Sequence, residues 1–214
     1  MSDVDFASLL CSRLCHDLVG PVGSIYNGVE LLVDEDDPEM RAKCLDLLAD
    51  SARQTANKLK FFRIAFGAAG GFGAQIDARE AKTALEGLFG DKRIALDWLV
   101  GPAALPKDAM KILLNLAMTA GDALLRGGRL NVAAEQRGAT IELAVRAEGD
   151  RILLDPELKA ALEGRTAFAD LAPRAAAAFL VHTLVREAAA QVRVSEQEGA
   201  LVFGVALASP PRQP

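Results

Sequence analysis

The chain has 214 residues, 51% hydrophobic and 25% charged, with a formal net charge of −5, which suits a soluble chain of one or two packed domains. No apolar run reaches the roughly 18–20 residues of a membrane span, and the opening Met1-Ser2-Asp3-Val4-Asp5 lacks the basic start of a signal peptide. An acidic surplus argues against a nucleic-acid surface, so the expectation is a cytoplasmic protein that binds neither membrane nor nucleic acid.

Phe6, Leu10, Leu14, Leu18, Val22, Ile25, Val29 and Leu32 recur every three or four positions and predict an amphipathic helix from about Phe6 to Val33. His16 lies two residues from both Leu14 and Leu18, about 200° from that stripe, so the imidazole is expected on the exposed face. Arg13, Asp17, Gly20, Ser24 and Asn27 share that side. Asp17 is placed to hydrogen-bond or polarise the imidazole, and Gly20 removes bulk that would obstruct a docking partner. Pro21 frees the carbonyl of Asp17 and predicts a bend just after the histidine. Cys11, Cys15 and Cys44 read as small apolar residues rather than a disulfide framework, and no paired CxxC spacing supports a thiolate metal site.

The acidic turn Asp34-Glu35-Asp36-Asp37 ends this helix, and Pro38 is placed to open a second. Leu45, Leu48, Ala52, Thr55, Leu59, Phe62 and Phe66 form its predicted seam, with Lys58, Lys60 and Arg63 as a solvated face near its end. Two antiparallel helices cannot cover both stripes alone, so a four-helix bundle made by a homodimer is expected.

Gly67-Ala68-Ala69-Gly70-Gly71-Phe72-Gly73 reads as a hinge, giving a hairpin domain 1–67, a linker 68–73 and a second domain 74–208, with residues 209–214 a disordered tail. The second domain reads as a strand near Ala74–Ile76, a helix Ala78–Phe89, a strand Arg93–Val100 and a helix Pro106–Leu125. A hairpin follows, Arg129–Ala134 and Thr140–Ala147, turned at Arg137-Gly138. Then come a short helix after Pro156, a long one from Pro173 to Ala190, and a hairpin of Gln191–Ser195 and Ala200–Ala208 turned at Glu198-Gly199. The fold class is an antiparallel helical hairpin followed by an α+β sandwich, helices on one face of a mixed sheet.

His16-Asp17-Leu18-Val19-Gly20-Pro21-Val22 resembles the H-box of sensor histidine kinases, and the order of elements resembles their core: a dimerising hairpin, then the kinase and Hsp90-like ATPase sandwich. The nucleotide boxes depart from that pattern. Asn115 stands in a segment that resembles the N-box, but Thr119 occupies the position of its magnesium-binding asparagine. Ala147 stands where an aspartate would meet adenine, and Arg151 where a glycine would admit phosphates. Arg174-Ala175-Ala176-Ala177-Ala178 replaces a glycine-rich phosphate loop, and the resemblance implies no ATP binding.

An intact histidine beside an erased nucleotide site is similar to the ChpT-type histidine phosphotransferases of alphaproteobacterial cell-cycle phosphorelays. That resemblance implies that His16 takes a phosphoryl group from the receiver domain of a hybrid kinase of the CckA type. It then passes the group to response regulators of the CtrA and CpdR type. No cofactor of its own is implied, because each receiver supplies its aspartate and Mg2+. Arg13 is expected to neutralise phosphoryl charge or meet the receiver's acidic rim, with Gly20, Ser24 and Asn27 on the docking face. His182, among Phe179, Leu180 and Leu184, reads as a partly buried structural histidine, and Asn115 as a packing residue. The competing classes are an ATP-dependent histidine kinase and a non-catalytic dimeric scaffold.

Overall fold

The computed structural model describes residues 2–67, 74–90 and 92–209, so the predicted hinge at 68–73 and tail residues 210–214 lie outside it. Helix α1, Asp3–Val33, begins earlier than its apolar stripe because Ser2 caps it. The Asp5 N–H donates to Ser2 Oγ at 3.2 Å and the Ser2 N–H to Asp5 Oδ2 at 3.0 Å, a reciprocal box that satisfies two end donors. The helix runs through Pro21 as one element. Helix α2, Pro38–Ala65, starts at the expected proline, with Asp37 accepting from the Glu39 N–H. Arg41 of α2 donates to the carbonyls of Leu32 and Glu35, satisfying the end of α1 and fixing the tight reversal between the helices.

The predicted stripes divide between two surfaces. On α1, Leu14, Leu18, Ile25 and Leu32 turn partly inward, while Val22 and Val29, expected on the same stripe, are exposed beside Val19 and Tyr26. On α2, Leu48 closes over Gly28 and Phe62 is buried, whereas Leu45, Ala52 and Leu59 of the same predicted seam face outward. Helices of this length have room for two apolar faces, and the sequence period alone does not separate them.

After the linker come β1 (Gln75–Asp77), α3 (Ala78–Phe89), β2 (Ile94–Val100), β3 (Ala104–Pro106) and α4 (Lys107–Ala123). They are followed by β4 (Gly128–Arg137), β5 (Thr140–Glu148), α5 (Pro156–Leu162), α6 (Ala176–Glu187), β6 (Arg193–Gln197) and β7 (Ala200–Ala208). The main sheet has order β2-β4-β5-β7-β6, parallel between β2 and β4 and antiparallel elsewhere, which is the expected mixed sheet. Its inward positions, Leu130, Val132, Ile141, Val145 and Phe203 among them, are buried under the helices. Strand β3, too short to carry a period, was not expected; it pairs with β1 in a separate two-stranded ribbon. The long helix expected from Pro173 begins as a 3-10 turn, Pro173–Ala175, and becomes α-helical only at Ala176. Ser209, predicted to lie in the tail, still donates its N–H to the Ala139 carbonyl at 2.7 Å.

Helix α4 is buried on nearly every side, between the sheet, α3, α6 and the end of α2. Phe61, Phe62, Ile64 and Ala65 of α2 belong to the same hydrophobic core as α4, and at the same, open end of the hairpin Phe6 of α1 meets Phe179 of α6 edge-on at 5.6 Å. The hairpin is therefore seated on the sandwich at two places along α1 and α2.

Candidate functional site

His16 stands on α1 with 81% of its side chain exposed, while the adjoining Asp17 is only 16% exposed. One helical position separates them, but the 100° step turns the imidazole to solvent and the carboxylate toward the sandwich. Asp17 Oδ1 lies 3.1 Å from His16 Nδ1. Its other oxygen, Oδ2, accepts from Arg13 Nε at 2.6 Å, one turn earlier on the helix. A carboxylate only accepts, so this hydrogen bond selects the imidazole with its proton on Nδ1 and the lone pair of Nε2 free toward solvent.

Arg13 is not on the solvent face where the helical wheel places it. Its side chain is 15% exposed, and Nη1 donates to the carbonyl of Arg174, at the 3-10 turn before α6, at 2.9 Å. Asp122 at the end of α4 approaches Nη2 at 4.0 Å. The reason is tertiary: α1 lies against the start of α6, so the side of the helix carrying positions 13 and 17 becomes an interdomain contact. Lys58 is likewise drawn out of the predicted solvated face, for its Nζ donates to the backbone carbonyl of Asp17 at 2.8 Å. Arg63, from the same predicted face, pairs with Glu80 of α3 at 2.6 Å.

Arg13, Asp17, Lys58, Lys92 and Asp122 line one cleft of ≈ 150 Å³ floored by Phe62, Leu88 and Met118. Lys92 and Asp122 close its outer side through a 2.7 Å ion pair. Sequence reasoning set Lys58 on a solvated face and passed over Lys92 and Asp122, because the three come from α2, from the connection between α3 and β2, and from the end of α4. A partial signal was present: a proline inside a helix leaves the carbonyl four residues earlier in need of an outside donor.

Among the other predicted site residues, Gly20 is exposed, with open space where a side chain would stand. Ser24 is half-buried and returns its hydroxyl to the Gly20 carbonyl at 3.2 Å. Asn27 is exposed nearer the hairpin tip, in a shallow depression with Glu30, Leu31, Asp34 and Glu35. His16, Gly20 and Asn27 therefore share an open face, and Arg13 leaves it. Cys11, Cys15 and Cys44 are free thiols, the first two exposed and the third buried. Among the described residues no cluster of three or more His, Cys, Asp or Glu is placed to hold a metal ion, and no helix is long and apolar enough to cross a membrane.

Of the positions that depart from the kinase nucleotide boxes, Thr119, Ala147 and the alanines after Arg174 are packed, whereas Arg151 and Arg174 are exposed. Thr119 is buried and its hydroxyl donates to the Asn115 carbonyl at 2.9 Å. Ala147 is fully buried in β5 between Leu130 and Leu201 of the adjoining strands. Arg174 is held by Asp155 at 2.9 Å and Glu157 at 2.8 Å, a pair of carboxylates that raises its pKa above the ordinary arginine value. The alanines from Ala175 to Ala178 that follow it are buried. His182 is half-buried, its ring 6.1 Å from Phe179, as expected of a structural histidine.

The model of the histidine phosphotransferase C-terminal domain family matches residues 78–200, most of the sandwich. Protein phosphotransferase ChpT of Brucella abortus (strain 2308) is 37% identical over 161 residues, covering 73% of this chain and 74% of that protein. A solved structure of a bacterial phosphotransferase is 29% identical, with a TM-score of 0.86 over 96% of this chain and 97% of that one. The Acinetobacter baumannii histidine kinase AdeS matches at 13% identity and a TM-score of 0.47, covering 90% of this chain and 97% of that one.

Proposed function

The chain belongs to the ChpT-type histidine phosphotransferase family, and on that premise we propose that His16 carries the phosphoryl group between the aspartates of two receiver domains. The observation that carries the proposal is the exposed imidazole whose Nδ1 is engaged by Asp17, leaving Nε2 as the free nucleophile. In the forward step the Nε2 lone pair attacks the phosphorus of a receiver's aspartyl phosphate. The N–P bond forms as the P–O bond to the aspartate breaks, and the carboxylate leaves with that electron pair. The ring gains positive charge as this happens, and the Asp17 carboxylate beside Nδ1–H stabilises it. The second half-reaction is the reverse, with a fresh receiver carboxylate as nucleophile. Phosphoryl transfer is dominated by positioning and charge neutralisation, and each receiver brings its own aspartate and Mg2+, so this chain needs no cofactor.

The donor on this reading is the receiver domain of a hybrid histidine kinase of the CckA type, and the acceptors are regulators of the CtrA and CpdR type. Gly20, Ser24 and Asn27, on or beside the open face of α1, form the near edge of the docking surface. The working form is a homodimer, in which Val22, Tyr26 and Val29 of α1 with Leu45, Ala52 and Leu59 of α2 meet the second copy as a four-helix bundle. This row is otherwise a set of exposed apolar side chains on neighbouring helices, too contiguous to leave in water. ATP is not a substrate, since Ala147, Thr119 and the alanines before and within α6 fill the space with core packing.

The test mixes the protein with a receiver carrying labelled aspartyl phosphate. Label should move to the wild type and to His16's counter-control, His182→Ala, in an acid-labile form, and then onto a second receiver. His16→Ala should accept none. Acid-labile label on His16→Ala would place the nucleophile elsewhere.

A further inference from the structure

Pro21 has no N–H, so the carbonyl of Asp17, four residues earlier, lacks its regular i+4 partner in α1. It is nevertheless satisfied, because Lys58 of α2 reaches across the hairpin and donates to it at 2.8 Å. We propose that Lys58 is a positioning residue for phosphotransfer: it replaces the hydrogen bond that Pro21 removes and so fixes the turn of α1 that aims His16. This rests on the reading of His16 as the phospho-acceptor.

Asp17 is gripped at both ends. Lys58 holds its backbone from α2, and Arg13 holds its carboxylate while donating to the Arg174 carbonyl of the sandwich. Only Oδ1 is left for His16, and its distance to Nδ1 depends on both grips. Lys58 is half-buried in the narrow cleft shared with Phe62, Leu88 and Met118, so its stem is packed and its ammonium has little freedom to wander. Releasing the Asp17 carbonyl lets α1 bend at Pro21, and His16 lies on the turn just before the bend. The device compensates one residue with another: a helix without proline at position 21 would have no need of the lysine.

That dependence supplies the test. Lys58→Met keeps the stem and removes the donor, and Pro21→Ala restores an N–H to position 21. Two measurements are made on wild type, Lys58→Met, Pro21→Ala and the double variant. The first is the Nδ1 to Nε2 tautomer ratio of His16 in the free protein, by long-range 1H–15N correlation. The second is the rate of His16 phosphorylation from labelled receiver, split into maximal rate and half-saturating receiver concentration. Lys58→Met should shift the tautomer ratio and lower the maximal rate about 10-fold or more with half-saturation unchanged, the scale of a slightly misplaced reacting group. The double variant should recover both. A wild-type tautomer ratio and rate in Lys58→Met overturns the proposal, as does a loss that Pro21→Ala does not repair, since that would mean direct contact with the phosphoryl group. If no receiver labels even the wild type, the phosphotransfer reading has failed, and the tautomer measurement still decides whether Lys58 sets His16 through Asp17.

Discussion

Asn115, in the middle of α4, donates through Nδ2 to the carbonyl of Ala65 in the last turn of α2 at 3.0 Å. The same amide reaches the Lys111 carbonyl at 2.8 Å, and the side chain is wholly buried with its Oδ1 unpartnered. A residue at a position that resembles a kinase nucleotide box thus serves as a strut between the hairpin and the sandwich.

Asn115→Asp should be among the most disruptive single changes in the chain. It sets a carboxylate against two carbonyls with no donor nearby, and an uncompensated buried charge costs about 3–5 kcal/mol. Asn115→Leu, which also removes the orphaned oxygen, should cost about 1–2 kcal/mol, the loss of a modest buried hydrogen bond. Urea unfolding of the two variants checks the order.

Gly164, after α5, has φ +68°, and a Cβ there would stand 2.2 Å from His182 Cε1. Gly164→Ala should destabilise for two separable reasons, the left-handed backbone at about 1–2 kcal/mol and the clash with the imidazole. Adding His182→Ala removes the second alone. The double variant should therefore be more stable than the sum of the two single effects, by unfolding midpoint, and purely additive effects would show that the ring simply swings away.

Tyr26 is the one tyrosine of the chain, so its ultraviolet titration reads a single site. A hydrogen bond to Glu30, one turn on, holds the phenol proton and raises the pKa above 10.0, with burial a smaller cause. A raised folded pKa means that this bond contributes below the unfolded value near 10 and is lost as pH rises through the folded value. Glu30→Ala should move the transition to lower pH. The proposed dimer face covers the ring further, so Leu59→Glu, expected to run as a monomer in light scattering, should also titrate lower than the wild type.

Calorimetric titration with Mg-ATP should give no saturable binding at micromolar concentration. Ala147→Asp alone should not create it, because position 147 faces a filled core between β4 and β7. Binding by the wild type would favour the kinase class over the phosphotransferase.

How much was legible follows from which interactions are local. The start of α2 at Pro38, the mixed sheet, the hairpin turn at Glu198-Gly199 and the exposure of His16 were readable, since turns, helix-opening prolines and periodicity are written within a few residues of sequence, whereas the Ser2 cap that starts α1 three residues before its apolar stripe was overlooked. The H-box fixed the pairing of His16 with Asp17 because neighbours in sequence are neighbours on a helix. Position on a wheel says which way a side chain leaves its helix, not what it meets there. Tertiary packing alone decided that Arg13 turns inward to the Arg174 carbonyl, that the two apolar stripes divide into a buried and an outward face, and that Lys58, forty-one positions away, supplies the donor that Pro21 withholds from Asp17. Those contacts join elements whose registers are set by the shared core of α2 and α4, so no local pattern contains them.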